Sequence, residues 1–213
     1  AQHLARVTLK NAHLGDAMSI DEYEAVRSSL KSPSANELLQ LSWALAARVG
    51  DVRQVSTDDT VIAGPGDRPE VTVTFRRGKG AAFWGPFSCK AILPPSLAGR
   101  ISQRLRQLGP ARPLFSTADQ AAVSQSTKTR GKNMSVRSIR KGALTHLAER
   151  GLSDGSLMLL SGHKRRDTLL RYLGWGASSA STRKAAEEAA AIRDPFGGSG
   201  DLVPQRWVHT AGT

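Results

Sequence analysis

Ser161-Gly162-His163-Lys164-Arg165-Arg166-Asp167-Thr168-Leu169-Leu170-Arg171-Tyr172 is the most informative stretch of this chain. A Gly-His pair is followed nine residues after the histidine by a tyrosine, with three consecutive cations between them. A phenol beside several cations is suited to attack a phosphodiester without a metal. Tyrosine alone is a poor nucleophile, because its phenol has a pKa of about 10. Neighbouring cations favour the phenolate and stabilise charge on the phosphate.

The chain around this stretch is basic. It has 213 residues and a net charge of +12. From Arg76 to Lys184 there are 21 Lys and Arg against 4 Asp and Glu, and the remainder has 9 against 14. A basic middle between near-neutral or acidic ends predicts one phosphate-binding face more readily than a surface kept basic for solubility. Acidic lipid is a weaker partner, since the cations are not gathered along one amphipathic helix. The single cysteine, Cys89, excludes an internal disulfide and a multi-cysteine metal site. The five histidines show no metal-ligand spacing. Neither a Gly-x-Ser-x-Gly elbow nor a Walker loop is present. Neither a metal nor a cofactor is therefore expected, and neither is a membrane span.

Patterning predicts a mainly α protein with a small antiparallel β-sheet. Residues 1–18 read as a linker or N-terminal remnant. Ser19-Ile20-Asp21-Glu22 is a capping box that starts a helix reaching about Leu30. Lys31 to Ser34 breaks it. Asn36 is the candidate cap of the next helix, where Leu38, Leu41 and Leu45 recur. Residues 60–63 and 71–75 read as strands, with a turn at Arg76-Arg77-Gly78-Lys79-Gly80 and a returning strand over 81–88. Pro94-Pro95 opens a helix carrying Leu97, Ile101, Leu105 and Leu108. Residues 116–134 read as a short helix plus a loop. Ser135 caps a helix that Gly151 stops, and residues 153–161 form another that Gly162 ends. Asp167 caps the turn bearing Tyr172. Residues 178–193 read as an alanine-rich helix, and 194–213 as a loose tail anchored by Trp207.

Four ordered blocks within residues 19–193 resemble the catalytic domain of the tyrosine site-specific recombinases, the phage-integrase family. Arg48 and Asp51 fit an arginine at a helix end followed three residues on by an acid. Gly78-Lys79-Gly80 fits the lysine turn. Arg137-Ser138-Ile139-Arg140 with Thr145-His146-Leu147 fits His-x-x-Arg and its continuation. Ser161-Gly162-His163 with Tyr172 fits Leu-Gly-His and its tyrosine. Each block alone has an ordinary structural reading, and their order is what carries the resemblance.

The resemblance implies that Tyr172 attacks the scissile phosphate and forms a 3′-phosphotyrosyl link. It implies that Arg48 and Arg140 clamp the non-bridging oxygens, for which a planar guanidinium suits. Lys79 would protonate the leaving oxygen, with Lys90 and Arg77 as alternatives. His163 would hydrogen-bond the phosphate, and Asp51 would buttress the site. Arg137 stands where the family usually has histidine. Arginine binds phosphate but cannot accept a proton, so base assistance falls to His146 or His163 or is lost. Arg76, Arg77, Lys141, Lys164, Arg165 and Arg166 are candidate contacts to the DNA backbone. The Ser-Gly-His, Arg-x-x-Arg and Tyr-Leu-Gly-Trp-Gly variants resemble recombinases of eukaryotic transposable elements.

The implied activity is strand cleavage and rejoining on double-stranded DNA, in recombination, integration or transposition. The implied assembly is a homo-oligomer using the helix after Tyr172, and the implied location is on intracellular DNA, nuclear in a eukaryote. Two other functions stay open. One is a DNA-binding relative that no longer cleaves. The other is a type IB topoisomerase-like nicking-rejoining enzyme. The family's usual N-terminal DNA-clamping domain has no counterpart in residues 1–18, so the chain is expected to be a catalytic domain or fragment.

Overall fold

The computed structural model describes residues 15–131 and 133–174. The expected linker up to residue 14, the alanine-rich helix and the C-terminal tail lie outside the described residues.

The helices begin where their caps dictate. Ser19 and Glu22 form a capping box at the start of α1, Ile20–Ser29. The next helix, α2, Pro33–Ala44, is capped by Ser32 and not by Asn36. Proline at the first helical position has its φ set for a helix and no N–H to leave orphaned, which fixes that start. Asn36 lies inside the helix and donates to the Arg27 carbonyl at 2.8 Å. A sharp turn leads to α3, Val49–Arg53, with Arg48 at its N-cap.

Strand β1, Thr60–Ala63, pairs antiparallel with β2, Glu70–Phe75, and β2 with β3, Phe87–Ile92, in the order β1-β2-β3. Val71, Val73 and Phe75 alternate into the core. The turn after β2 differs from the expected hairpin. Residues Lys79–Trp84 form a short helix, α4, and the third strand begins only at Phe87. Gly85-Pro86 separates the two: Gly85 has φ +77° and is the helix C-cap.

Further helices complete the unit. They are α5, Pro95–Leu108; α6, Thr117–Lys128; α7, Val136–Glu149; α8, Asp154–Ser161; and α9, Arg166–Leu173. Ser116, Ser135 and Ser153 cap α6, α7 and α8. Arg165, not Asp167, is the N-cap of α9, and Asp167 lies in its first turn. There its carboxylate favours the positive end of the helix dipole without capping.

α2 runs through the middle, touching α1, α3, α5, α6 and α7. Leu38, Leu39 and Leu41 meet Val71, Val73, Phe75, Leu97 and Ile101 in the main core. A second cluster joins α7, α8 and α9 through Leu144, Leu157, Leu169 and Leu173. Trp43 packs against both clusters. Residues 15–18, expected within the linker, are docked on α7. The Met18 side chain is buried, and its N–H bonds the Ser138 carbonyl at 3.1 Å. Gly142 permits this approach, because a Cβ there would lie 2.1 Å from the Met18 carbonyl oxygen.

Candidate active site

The docking of α7 and α8 beside the sheet leaves a cavity of about 330 Å³. Arg48, Asp51, Lys79, Arg140, His163 and Lys164 line it, with Phe75, Phe87 and Cys89 from the sheet. These residues come from well-separated parts of the sequence.

Arg48 reaches the cavity from the N-cap of α3. Its Nη1 lies 3.4 Å from Asp51 Oδ2, the guanidinium half exposed and the carboxylate buried. Asp51 also sets the position of the lysine turn. Gly78 has φ +95°, and a Cβ on it would fall 2.3 Å from Asp51 Oδ1. The backbone thus passes directly over the carboxylate, and Lys79 follows at the first position of α4, exposed at the cavity wall. A Cβ on Gly80 would be 4.0 Å from Arg48 Nη1, so the turn and the arginine are neighbours.

Arg140 projects from the second turn of α7 and is 7% exposed. Its Nη2 donates to the Ser161 carbonyl. Burial lowers its pKa first, with Arg48 acting the same way and Tyr172 opposing. A buried guanidinium pairs with an anion strongly, because water cannot compete. His163 follows the left-handed Gly162 that ends α8. Its Nδ1 is 2.6 Å from Ser161 Oγ. Burial, then the charges of Arg140 and Arg48, push its pKa down to about 4. The imidazole is therefore neutral at physiological pH.

The Tyr172 ring, on α9, packs against His163 with centroids 5.2 Å apart. The net effect on its phenol is opposite to the one expected from the neighbouring cations. Burial raises its pKa, and this outweighs the opposing charges of Arg140, Arg48 and Arg137 and a hydrogen bond from Arg140. Removing the phenolate from water costs more here than the surrounding cations give back. Arg137, exposed in the first turn of α7, is thus close enough to act on the phenol.

The other candidates divide. Lys90 is ion-paired with Glu70 at 2.8 Å on the exposed side of the sheet. His146 packs against Trp43, centroids 6.3 Å apart, and is not in the cavity wall. Arg77 and Arg165 are exposed. Arg76 is exposed but paired with Asp59 at 2.8 Å, and Arg166 with Asp154 at 2.5 Å. Lys141 is half-buried and donates to the Gly15 carbonyl at 3.1 Å, so the docked N-terminal segment holds its ammonium. Sequence reasoning gave no role to Ser161, Cys89 or Phe87. Ser161 had a signal: it is a hydroxyl closing the apolar run Leu157 to Leu160. Burial raises the pKa of the Cys89 thiol, with Arg140 opposing. Among the described residues no three His, Cys, Asp or Glu side chains are grouped to hold a metal, and no helix is long and apolar enough to cross a membrane.

No protein-family model matches the sequence, and no curated protein matches it. Solved structures do match. The catalytic domain of bacteriophage HP1 integrase is 14% identical, with a TM-score of 0.53 over 85% of this chain and 96% of that one. XerH site-specific recombinase bound to difH substrate is 17% identical, with a TM-score of 0.59 over 85% of this chain. Tn1549 transposon integrase in complex with transposon right end DNA is 13% identical, with a TM-score of 0.56 over 82% of this chain. The chain spans 55% of the XerH chain and 66% of the Tn1549 integrase chain. This mainly helical unit with its three-stranded antiparallel sheet has the fold of the tyrosine recombinase and integrase catalytic domains.

Proposed function

We propose that this chain cleaves and rejoins DNA strands through a 3′-phosphotyrosyl intermediate, as a recombinase, integrase or transposition enzyme. One observation carries the reading. Arg48, Lys79, Arg140 and His163, from four distant parts of the sequence, line one cavity, and Tyr172 packs on the His163 ring beside them.

The chemistry follows from that grouping. A scissile phosphate in the cavity brings a negative charge to a site already set with cations. Arg48 and Arg140 bind its non-bridging oxygens, and a neutral His163 donates a further hydrogen bond. The Tyr172 phenol gives its proton to solvent, and its Oη attacks phosphorus, forming the P–Oη bond as the bond to the 5′ oxygen breaks. Lys79 gives that oxygen its proton, leaving a 5′-hydroxyl. In the reverse step a 5′-hydroxyl gives its proton to Lys79 and attacks phosphorus, the P–Oη bond breaks, and the released phenolate takes a proton from solvent. Asp51 holds Arg48 and the turn under Lys79. The phosphotyrosine conserves the energy of the broken ester, so the cycle needs no ATP. In this reading the exposed Arg77, Lys164 and Arg165 meet the DNA backbone beside the cut. Arg76 and Arg166 can do so by leaving their surface partners, at small cost. The protein acts on intracellular DNA, in the nucleus if its source is a eukaryote, and assembles there as a homo-oligomer through its C-terminal segment.

Arg137 favours a second reading, in which the protein binds DNA without cutting it, because a guanidinium supplies no base for a phenol whose pKa burial has raised. DNA nicked next to the cleaved phosphate decides between them, since the released fragment diffuses away and traps the intermediate. The expected result is an adduct resistant to SDS, lost in Tyr172→Phe while DNA binding persists. No adduct from the unmutated protein on any sequence, its own element's ends included, would establish the non-cleaving reading. Relaxation of supercoils by a monomer without sequence preference would instead indicate a topoisomerase-like enzyme.

A further inference from the structure

Ser161 holds two phosphate-facing residues at once. Its carbonyl accepts from Arg140 Nη2, and its hydroxyl lies 2.6 Å from His163 Nδ1. That short bond needs one proton, supplied either by the hydroxyl or by Nδ1. Ser161 is buried, and the other partner of its hydroxyl, the Met158 carbonyl, is 3.5 Å away. A hydrogen bond of that length is too weak to satisfy a hydroxyl withdrawn from water. If Nδ1 carried the proton, the serine O–H would be left with that poor acceptor. If the hydroxyl donates to Nδ1, both groups are satisfied, and the imidazole proton sits on Nε2, at the ring edge away from Ser161.

The choice matters because the imidazole is neutral. A protonated histidine donates from both nitrogens, but a neutral one donates from a single nitrogen. Non-bridging phosphate oxygens only accept. We propose that Ser161 is a positioning residue that locks His163 in its Nε2–H tautomer, so that this side chain faces the phosphate as a donor. The proposal rests on the phosphate-binding reading of the cavity. The groups that face the imidazole are Arg140 from α7, Arg48 from the start of α3 and Tyr172 from α9, with Lys79 and Lys164 in the same cavity wall. The arginine and lysine donors bind a phosphate in their one charged form. His163 has two neutral forms, of which one serves, and this is why it needs a second residue to orient it.

The first test needs no DNA. Nitrogen-15 NMR of the imidazole in the full chain near neutral pH should show the Nε2–H tautomer in the unmutated protein and in Ser161→Thr. In Ser161→Ala it should show a mixture of tautomers. The titration should also move upward in Ser161→Ala, because a donor to Nδ1 stabilises the neutral ring and its loss favours the imidazolium. An unchanged tautomer and titration in Ser161→Ala would overturn the proposal. On nicked DNA, Ser161→Ala should slow adduct formation by about tenfold, the effect of losing one hydrogen bond, and Ser161→Thr should restore it. In a His163→Ala background, Ser161→Ala should cost nothing more. An additive loss there would mean that Ser161 acts through Arg140 or through packing, and would also overturn the proposal. If the unmutated protein forms no adduct while the NMR result holds, the cleavage reading fails and the tautomer lock stands.

Discussion

Burial raises the pKa of the Tyr172 phenol, against the pull of three arginines. A phenol whose pKa is raised carries less phenolate at neutral pH than a free tyrosine, and that fraction grows about tenfold per pH unit below the pKa. Arg137 offers no acceptor for the proton. Adduct formation on nicked DNA should therefore keep rising from pH 7 to pH 9. Arg137→His introduces an imidazole with an ordinary pKa of about 6.5. That variant should cleave faster at pH 7 and show a flatter pH profile above it. A large fall in rate would instead mark Arg137 as a phosphate donor the site depends on. The spacing of His163 to Tyr172 and of Arg137 to Arg140 nominated these residues, and the structure brings His163, Arg140 and Tyr172 together. The sign of the phenol's shift was not legible in that spacing. It depends on how much surface α8 and α9 take from the ring, and the residue order does not state this.

α4 shows the same limit for a whole segment. The sequence Lys79-Gly80-Ala81-Ala82 follows a turn-forming glycine and has no clear period, so strand and helix compete locally. The segment enters α4 where Gly78 packs over Asp51, a contact between residues 27 positions apart that the local sequence does not reveal. By contrast Ser19, Ser116, Ser135 and Ser153 act on N–H groups a few residues away, and the starts of α1, α6, α7 and α8 could be read directly. Gly78→Ala should lower stability by about 2 kcal/mol, from the left-handed backbone and the clash with Asp51 together. In an Asp51→Ala background only the backbone part, about 1 kcal/mol, should remain. Urea unfolding of the four proteins separates the two contributions. Equal losses in the two backgrounds would show that the carboxylate does not constrain the turn.

The charge of the molecule is divided between cations that hold the fold and cations available to a polyanion. Arg100 and Arg104 both approach the buried Glu37, at 3.7 and 2.7 Å, and stabilise α5 against α2. Arg77 and Arg165 are exposed beside the cavity's turn and helix. Each phosphate that a cation neutralises adds about one to the slope of log affinity against log salt. Arg77→Ala and Arg165→Ala should each reduce that slope by about one, and Arg100→Ala should leave it unchanged. Fluorescence anisotropy on duplex DNA over a range of salt concentrations measures it. Equal slopes in all four proteins would remove these two arginines from the DNA-facing surface. The docked segment at Gly15 to Met18 has a mechanical consequence. It is fastened to α7 by the Met18 N–H and by the Lys141 ammonium, and α7 also carries Arg137 and Arg140. Any tension arriving along the chain from before Gly15 is thus delivered to the rod that holds both guanidiniums, and a tug on that leash would be felt at the cavity that Arg140 lines.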